Sequence, residues 1–502
     1  MAWYTIQNQA GKKLDYKVDN SIFPGTRAKP KLVSFIVSRF PSKYWGFVGY
    51  AINIGSDIVL IVLVYILSDG LFHKHLPINE AYYIFPPAFW VSLLFSTMPI
   101  LFPITARLVS IKERTFGCLL CFIYFVLFGL GFIGGDYYFF FFNIIVANLI
   151  ILSSTFALQY LVFTSVFLSL LYFNFIPVLI LAISVLIGTF FIRNLGIYNI
   201  LTRTIAHYRW YSKNPKGTTA FGRNNLKDML LTPVYLFSNL KKFMNQVTQK
   251  NSFIIASYSI PSLLLILFYY VTEVDIYHQV AGNEILKYIN NIMFSSILIF
   301  LITSLKPFLF LGQAERYFEY SSPFIAVLFV FIVISIKGIY LSKIILTVLC
   351  FQLCIILFNF IFPNRLKLWE LISNPLGREN LKEIADVIKN MSNSLNILTI
   401  PAKLSFALSY SINNDDYKFF HNFVYRKGSG FTYMENDFLI YNYPRPDFGY
   451  FKERYAIDVV VLENKVLELA NVGSQYSGFV DNLNKLYENE EFTIYSDERY
   501  HL

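Results

Sequence analysis

The chain has 502 residues, of which 55% are hydrophobic and 15% are charged, and its mean hydropathy is +0.49. Soluble domains carry about 25% charged residues, so a wholly soluble protein is excluded. Aromatic residues make up 19% of the chain, which excludes disorder because disordered segments are poor in them. The 24 Gly and 4 Cys exclude collagen-like and disulfide-bonded scaffolds. The composition therefore predicts an α-helical polytopic membrane protein with soluble parts.

The formal net charge is +10, and the basic residues stand beside the apolar segments. Basic residues in that position are typical of membrane topology and of contacts with anionic lipid headgroups. We therefore expect membrane lipids, and not nucleic acid, as partners.

Polar and apolar stretches divide the chain into three predicted parts. Residues 1–46 form a polar, basic N-terminal arm, and residues 47–362 form a transmembrane domain with a long basic loop at 197–251. Residues 363–502 form a small C-terminal α/β domain. A membrane span needs about 20 mostly apolar residues, and about ten segments meet that description. They lie near 47–67, 85–105, 116–134, 137–153, 155–173, 175–193, 252–271, 291–312, 323–338 and 341–362.

The distribution of Lys and Arg predicts the orientation of these spans. Loops rich in Lys and Arg stay on the cytoplasmic side of a membrane. The arm, the 197–251 loop and the C-terminal domain then share that side, and the 68–84 loop faces outside. This orientation depends on the division of 137–193, an almost uninterrupted apolar stretch, into three helices. We expect an integral, multi-pass protein of a prokaryotic inner membrane.

The C-terminal domain shows alternating helical and strand-like patterns. A helix with apolar residues at helical spacing is predicted after Pro375, and a polar helix is predicted around Asn482–Glu488. Strands are predicted at Leu395–Ile400, Phe438–Tyr443, Ile457–Leu462 and Phe492–Tyr495. This alternation indicates an open sheet, either mixed or parallel. The run from Val459 to Leu462 lacks polar alternation, as expected of a strand covered on both faces.

Polar side chains after the first span form one candidate site. Asp69, His73 and His75 stand at the predicted membrane surface, and Glu80 follows them. These residue types bind divalent metals when a loop brings them together. The alternative is an ordinary solvated loop.

A basic cluster after the second span forms another candidate site. Arg107, Lys112 and Arg114 can neutralise a lipid phosphate or diphosphate. The same residues also serve plain membrane topology, and both interpretations stay open.

The third candidate site is a group of ionisable residues between two apolar segments. Glu315, Arg316, Tyr317 and Glu319 occupy that position, where charged side chains are costly and often functional. Glu315 and Glu319 are four residues apart and share one face of a helix, so Arg316 can pair with either. The group is either a structural ion pair that locks two spans or a site for a polar headgroup or sugar.

Three stretches of the N-terminal part carry a family resemblance: "KLVSFIVSRFPSKYW" at Lys31–Trp45, "RTFGCLL" at Arg114–Leu120 and "LGQAERYFEYSSP" at Leu311–Pro323. In the C-terminal domain, "NILTIP", "AIDVVVLE" and "ENEEFTIYSD" add to it. These stretches resemble polytopic GT-C-like membrane glycosyltransferases of cell-surface polysaccharide assembly. The resemblance is spread over most of the chain.

The resemblance implies transfer of a sugar from a polyprenyl-phosphate donor to a lipid-linked or surface acceptor. Such enzymes place an acidic residue in the first external loop, as a general base or as the partner of a divalent metal. We expect Asp69 and Glu315 to be catalytic. The expected substrate-binding residues are Arg107, Arg114, Arg316, Tyr317 and Glu319. No residues are assigned as ligands of a resident metal, although a divalent metal is compatible with this chemistry.

The chain departs from the family pattern near its N-terminus. No acidic residue precedes Asp15, so Asp15, Asp19 and Asp69 are the candidates for the missing acid. The resemblance also places the arm and the C-terminal domain outside, whereas the charge distribution places both inside.

These departures leave two other functions open. One is a transporter or flippase of a lipid-linked glycan, and the other is a catalytically silent membrane partner in a polysaccharide-assembly complex. An acidic residue that shares a cavity with Glu315 and Arg316 would favour the enzyme.

Overall fold

A computed structural model gives the fold of the chain. It describes residues 21–22, 26–27, 32–75, 85–101, 113–191, 196–213, 223–336, 341–361, 376–392, 394–420, 424–425, 437–440, 443–468 and 473–496.

The N-terminal two-thirds of the chain fold into a bundle of helices. They are α1 (Leu32–Ser38), α2 (Trp45–His75), α3 (Pro87–Ser96), α4 (Glu113–Gly134), α5 (Tyr138–Ser153), α6 (Thr155–Leu171), α7 (Ile176–Phe190), α8 (Ile197–Lys213), α9 (Leu226–Leu230), α10 (Thr232–Ser238), α11 (Leu240–Asn245), α12 (Ser252–Ser259), α13 (Pro261–Thr272), α14 (Val274–Gly282), α15 (Glu284–Ser304), α16 (Phe318–Ser335) and α17 (Leu341–Ile361).

Helix α16 lies at the centre of the bundle. It packs against α3, α13 and α15, and every residue from Phe318 to Val333 is buried. In the apolar span that contains α16, 89% of residues are buried, against 28% in the span around α2. A helix that is apolar on all sides lies either in a protein core or in lipid, and the packing of α16 against its neighbours puts it in the core.

Each of the ten predicted spans coincides with helical structure. In the described part of the chain, four helices are long and apolar enough to cross a membrane. Helices α12 and α13, which meet at an angle of 85° next to Pro261, add a fifth span if they cross together. Four further apolar helices have only 10–17 residues, and α17 adds a stretch of that length at Lys343–Phe358. The protein is therefore mainly helical and has helices suited to a membrane, and the number of ten spans stays a prediction.

Two predicted loops are helical instead. Residues 68–75 continue α2, which accommodates Gly70 and meets no proline in this stretch. The basic loop 197–251 contains α8 to α11 and a π-helical turn at Gln246–Lys250. Basic residues are good helix formers, and charge alone therefore does not indicate a loop.

The C-terminal part folds around a five-stranded mixed sheet. Its strand order is β3-β2-β7-β9-β8, with β2 parallel to β3 and β7, and β9 antiparallel to β7 and β8. The strands are β2 (Asn396–Ile400), β3 (Lys418–Phe419), β7 (Val459–Glu463), β8 (Asn484–Glu488) and β9 (Phe492–Ser496); short pairs involve β1 (Thr26–Arg27), β4 (Val424–Tyr425), β5 (Phe438–Ile440) and β6 (Tyr443–Pro444). The helices are α18 (Leu376–Met391), α19 (Leu404–Ile412), α20 (Phe448–Tyr455) and α21 (Gly473–Val480).

Strand β7 is covered on both faces, as its unbroken apolar run predicts. Val459 and Val461 pack in a core with α18 and α19, and Val460 and Leu462 pack in a second core with α20 and α21. The polar helix predicted around 482–488 is wrong, because this segment forms the edge strand β8. Its exposed residues show no apolar helical face, and pairing with β9 decides its conformation.

Contacts place three parts of the chain at one end of the molecule. The arm meets the C-terminal sheet, because the amide of Ile22 donates to the carbonyl of Phe419 at 3.1 Å and β1 pairs with β4. Ala206 of α8 packs on the core between the sheet and α20. The arm, α8 and the C-terminal sheet therefore lie on the same side of the helix bundle.

Candidate functional site

The connection between α15 and α16 carries two residues of the candidate site, Glu315 and Arg316. It consists of two 3₁₀ turns, Lys306–Leu311 and Ala314–Tyr317. Gly312 joins them with φ of +114°, a left-handed backbone conformation that favours glycine. A Cβ atom at Gly312 would stand 2.9 Å from the ring of Phe156. The turn therefore needs glycine both for its backbone conformation and for its close contact with Phe156.

Glu319 is the most deeply buried charge of the site. Its side chain is inaccessible to solvent and forms an ion pair with Arg114, the second residue of α4. Pro323 has no N–H and leaves the carbonyl of Glu319 without its usual helical partner. That carbonyl accepts hydrogen bonds from Ser322 Oγ at 2.8 Å and from Cys118 Sγ at 3.5 Å. The sequence around Pro323 thus ties the first turn of α16 to α4.

Glu315 pairs with an arginine from the basic segment after α8. Nη2 of Arg223 donates to Oε1 of Glu315 at 2.8 Å, and both side chains are more than 90% buried. The other carboxylate oxygen of Glu315 has no hydrogen-bond partner among the described residues. The predicted pairing of Glu315 with Arg316 is wrong, because the 3₁₀ turn at Ala314–Tyr317 lets Arg223 reach the carboxylate instead.

Asn224 holds Arg223 in place. Its backbone has φ of +55°, and its amide donates to the carbonyl of Lys250 at 2.9 Å. Its side chain donates to the carbonyl of Ser304 at 3.1 Å and accepts from the amide of Ser252 at 2.8 Å. Asn224 thereby fastens the end of α15 to both ends of the segment that supplies Arg223.

Arg316 is half-buried and makes no ion pair within 4.0 Å among the described residues. Its guanidinium lies 5.6 Å from the centre of the Phe156 ring, and that of Arg114 lies 5.8 Å from the same ring. The site combines three arginines with two glutamates and so carries a formal charge of 3 − 2 = +1. An anion of charge −1 would neutralise it.

Tyr317 belongs to a hydrogen-bond network beneath these charges. Its hydroxyl donates to Oε1 of Gln159 at 3.0 Å, and Nε2 of Gln159 donates to the carbonyl of Leu311 at 3.3 Å. The ring of Tyr317 lies edge-on to Phe156 at 6.3 Å. The tyrosine therefore supports the turn that carries Glu315 and Arg316.

The structure brings five of the seven predicted site residues together. They are Arg114, Glu315, Arg316, Tyr317 and Glu319, and we refer to the three arginines (114, 223 and 316) and two glutamates (315 and 319) as the charge cluster. Arg107 lies outside the described residues.

Asp69 stands apart from the charge cluster. Val48 and Ile52 of α2 pack with Phe116 on a small apolar group around Trp45, next to the start of α4. Asp69 is 17 residues beyond Ile52 in the same helix, a distance of about 25 Å at 1.5 Å per residue. It pairs with His73 one turn away at 3.4 Å. Asp69 therefore lies toward the opposite end of the bundle.

Sequence reasoning missed three contributors to the site: Arg223, Phe156 and Gln159. Arg223 lies in the predicted basic loop 197–251, where its charge does not stand out, and a lone Phe or Gln in an apolar helix carries no local signal of function. In the described part of the chain, no group of three His, Cys, Asp or Glu side chains is placed to hold a metal ion.

Comparison with known proteins finds a solved structure with a similar fold. No protein-family model matches the chain, and no curated protein matches it. Among solved structures, the crystal structure of ArnT from Cupriavidus metallidurans in the apo state is similar, with a TM-score of 0.51 and 10% sequence identity. The match covers 99% of this chain and 92% of that chain. The chain thus shares its fold with that protein, and the fold expected from the sequence resemblance is confirmed.

Proposed function

We propose that the chain is a membrane glycosyltransferase that takes its sugar from a polyprenyl phosphate during cell-surface glycan assembly. The observation that carries the proposal is Arg316, a half-buried arginine that forms no ion pair with a carboxylate among the described residues and lies in a cluster of charge +1. A sugar phosphodiester carries a charge of about −1, which matches the cluster. The GT-C-like fold over 99% of the chain supports the same function.

The charge cluster contains the two kinds of group that glycosyl transfer requires. The acceptor hydroxyl attacks the anomeric carbon, the bond from that carbon to the phosphate oxygen breaks, and the lipid phosphate leaves with an additional negative charge. Arg316 is the cation available to stabilise that charge, and Arg114 stands beside it. Glu315 has a carboxylate oxygen that no described residue hydrogen-bonds, and this oxygen can accept the proton of the acceptor hydroxyl.

Within this proposal, Glu315 takes the role of base and Asp69 does not share its site. Because α2 carries Asp69 toward the opposite end of the bundle, we assign Asp69 no part in a reaction at Arg316. Arg107 stays a predicted ligand of the donor phosphate, because it precedes Arg114 by only seven residues.

The test is activity of the purified protein with a panel of radiolabelled polyprenyl-phosphate sugars. We expect release of free polyprenyl phosphate together with labelled acceptor. The variant Arg316→Gln should lose this activity, whereas Arg209→Gln, a matched change at an exposed arginine of α8, should keep it. Turnover by Arg316→Gln equal to that of the parent protein would refute the assignment.

A transporter or flippase of a lipid-linked glycan is the second candidate. The observation in its favour is that both glutamates of the cluster already pair with arginines, which suits a binding site better than a general base. Reconstituted vesicles separate the two functions. A flippase moves labelled lipid between leaflets without releasing polyprenyl phosphate, and a catalytically silent partner does neither.

A further inference from the structure

The segment from Leu226 to Lys250 presents an unusual outer surface. Right-handed helical backbone runs through α9, Leu231 and α10, so Leu230, Val234 and Phe237 share one face at spacings of four and three residues. Their exposed fractions are 69%, 56% and 90%, and Leu240 at the start of α11 is 57% exposed. The opposite side of the segment is packed, since Thr232 and Met244 are buried.

Positive charge surrounds this apolar face. The segment contains four lysines and one aspartate, a net charge of 4 − 1 = +3. Lys227, Lys242 and Lys250 are exposed, and Lys242 pairs with Asp228 at 3.4 Å. The hydroxyl of Tyr235 and the pair with Lys242 lower the pKa of the Asp228 carboxyl, and Tyr235 and Asp228 raise the pKa of Lys242. Both groups stay charged near neutral pH.

We propose that residues 226–250 form a docking element for an anionic lipid leaflet on the side of the C-terminal sheet. An apolar face flanked by lysines is typical of helices that lie in the plane of a membrane surface. Each lysine near an anionic leaflet contributes about 1 kcal/mol, or about five-fold in equilibrium constant. A soluble partner would leave the lysines without their counter-charge unless it were itself strongly acidic.

The docking element is connected to the charge cluster. Asn224 bonds to Lys250 and Ser252, so the two ends of the element are fastened together next to Arg223. Arg223 in turn contacts Glu315. Docking at the leaflet surface therefore sets the cluster at the depth of the lipid headgroups. This inference does not depend on glycosyl transfer and applies equally to a transporter.

Hydrogen exchange of the full chain in nanodiscs that hold one copy tests the proposal. Amides of α9 to α11 should exchange more slowly in discs with phosphatidylglycerol than in discs of phosphatidylcholine alone, and high salt should reduce the difference. Amides of α19 in the C-terminal domain serve as the internal reference and should not change. Equal exchange of α9 to α11 in both lipids would overturn the proposal. Any protection that is seen cannot come from pairing with a second chain, because each disc holds one copy.

A double variant with its matched control, and one single variant, complete the test. Lys227→Gln with Lys250→Gln should reduce the lipid-dependent protection by about five-fold per lysine, whereas Lys403→Gln with Lys465→Gln in the C-terminal domain should not. Phe237→Ser should abolish protection in either lipid. Protection that survives Phe237→Ser would show that the apolar face does not enter the leaflet.

Discussion

Arg316 and Arg114 lie beside the same phenylalanine ring, yet their removal should affect different properties. Loss of Arg114 should lower stability, and loss of Arg316 should weaken donor binding. Arg114 pairs with Glu319, which is inaccessible to solvent, so Arg114→Met leaves a buried carboxylate without its cation. Removing one partner of a buried pair costs roughly 3–5 kcal/mol of unfolding free energy. Arg316 has no such partner in the described part of the chain, and Arg316→Gln leaves two arginines and two glutamates in the cluster, with a formal charge of 2 − 2 = 0. We therefore expect Arg316→Gln to be nearly as stable as the parent protein.

The effect of Arg316→Gln should appear in binding of the lipid-linked donor. A hydrogen bond to a charged group contributes about 1.5–3 kcal/mol, so the variant should bind the donor about ten- to a hundred-fold more weakly. Unfolding in detergent and donor binding are measured on both single variants and on Arg114→Met with Glu319→Leu. The double variant should recover the stability lost in Arg114→Met, because it removes both buried charges. If Arg316→Gln destabilises the protein as much as Arg114→Met does, Arg316 is structural and the assignment of the donor site is wrong.

Three further predictions concern the C-terminal domain and the orientation of the chain. Val460→Asp should cost several kcal/mol because it puts an unpaired charge between the sheet and α20, and limited proteolysis should then cleave the domain faster; unchanged resistance would contradict the two-sided burial of β7. Burial raises the pKa of the Asp437 carboxyl although two tyrosine hydroxyls hydrogen-bond to it. Deprotonation therefore costs more in the folded state, and the stability of the parent domain relative to Asp437→Asn should fall as pH rises from the ordinary carboxyl pKa through the raised one; a difference that is constant with pH would refute this. Single cysteines at Arg209 and Lys485 should react with a membrane-impermeant reagent from the same side, and opposite accessibilities would contradict the placement of α8 and the C-terminal sheet at one end.

Local patterns in the sequence determined the membrane class, the places of the apolar helices and the buried strand β7. Each of these depends on residues that are neighbours along the chain. A run of apolar residues can only be buried or lie in lipid, and Val459–Leu462 has no polar face to present to water. For the same reason the group at Glu315–Glu319 was recognisable, since charges between two apolar segments are conspicuous without any knowledge of their partners.

Tertiary structure alone decided which charges meet. Arg223 and Glu315 are 92 residues apart in the chain, and no periodicity of either segment encodes their contact. The same holds for edge strand β8, whose conformation comes from pairing with β9. Asp69 shows the converse, because its residue type fitted a catalytic role, and the length of a continuous helix carries it away from the cluster. Residue type and spacing thus identified candidate charges, and the packing of distant helices selected those that share a site, since ion pairs form through space and not along the chain.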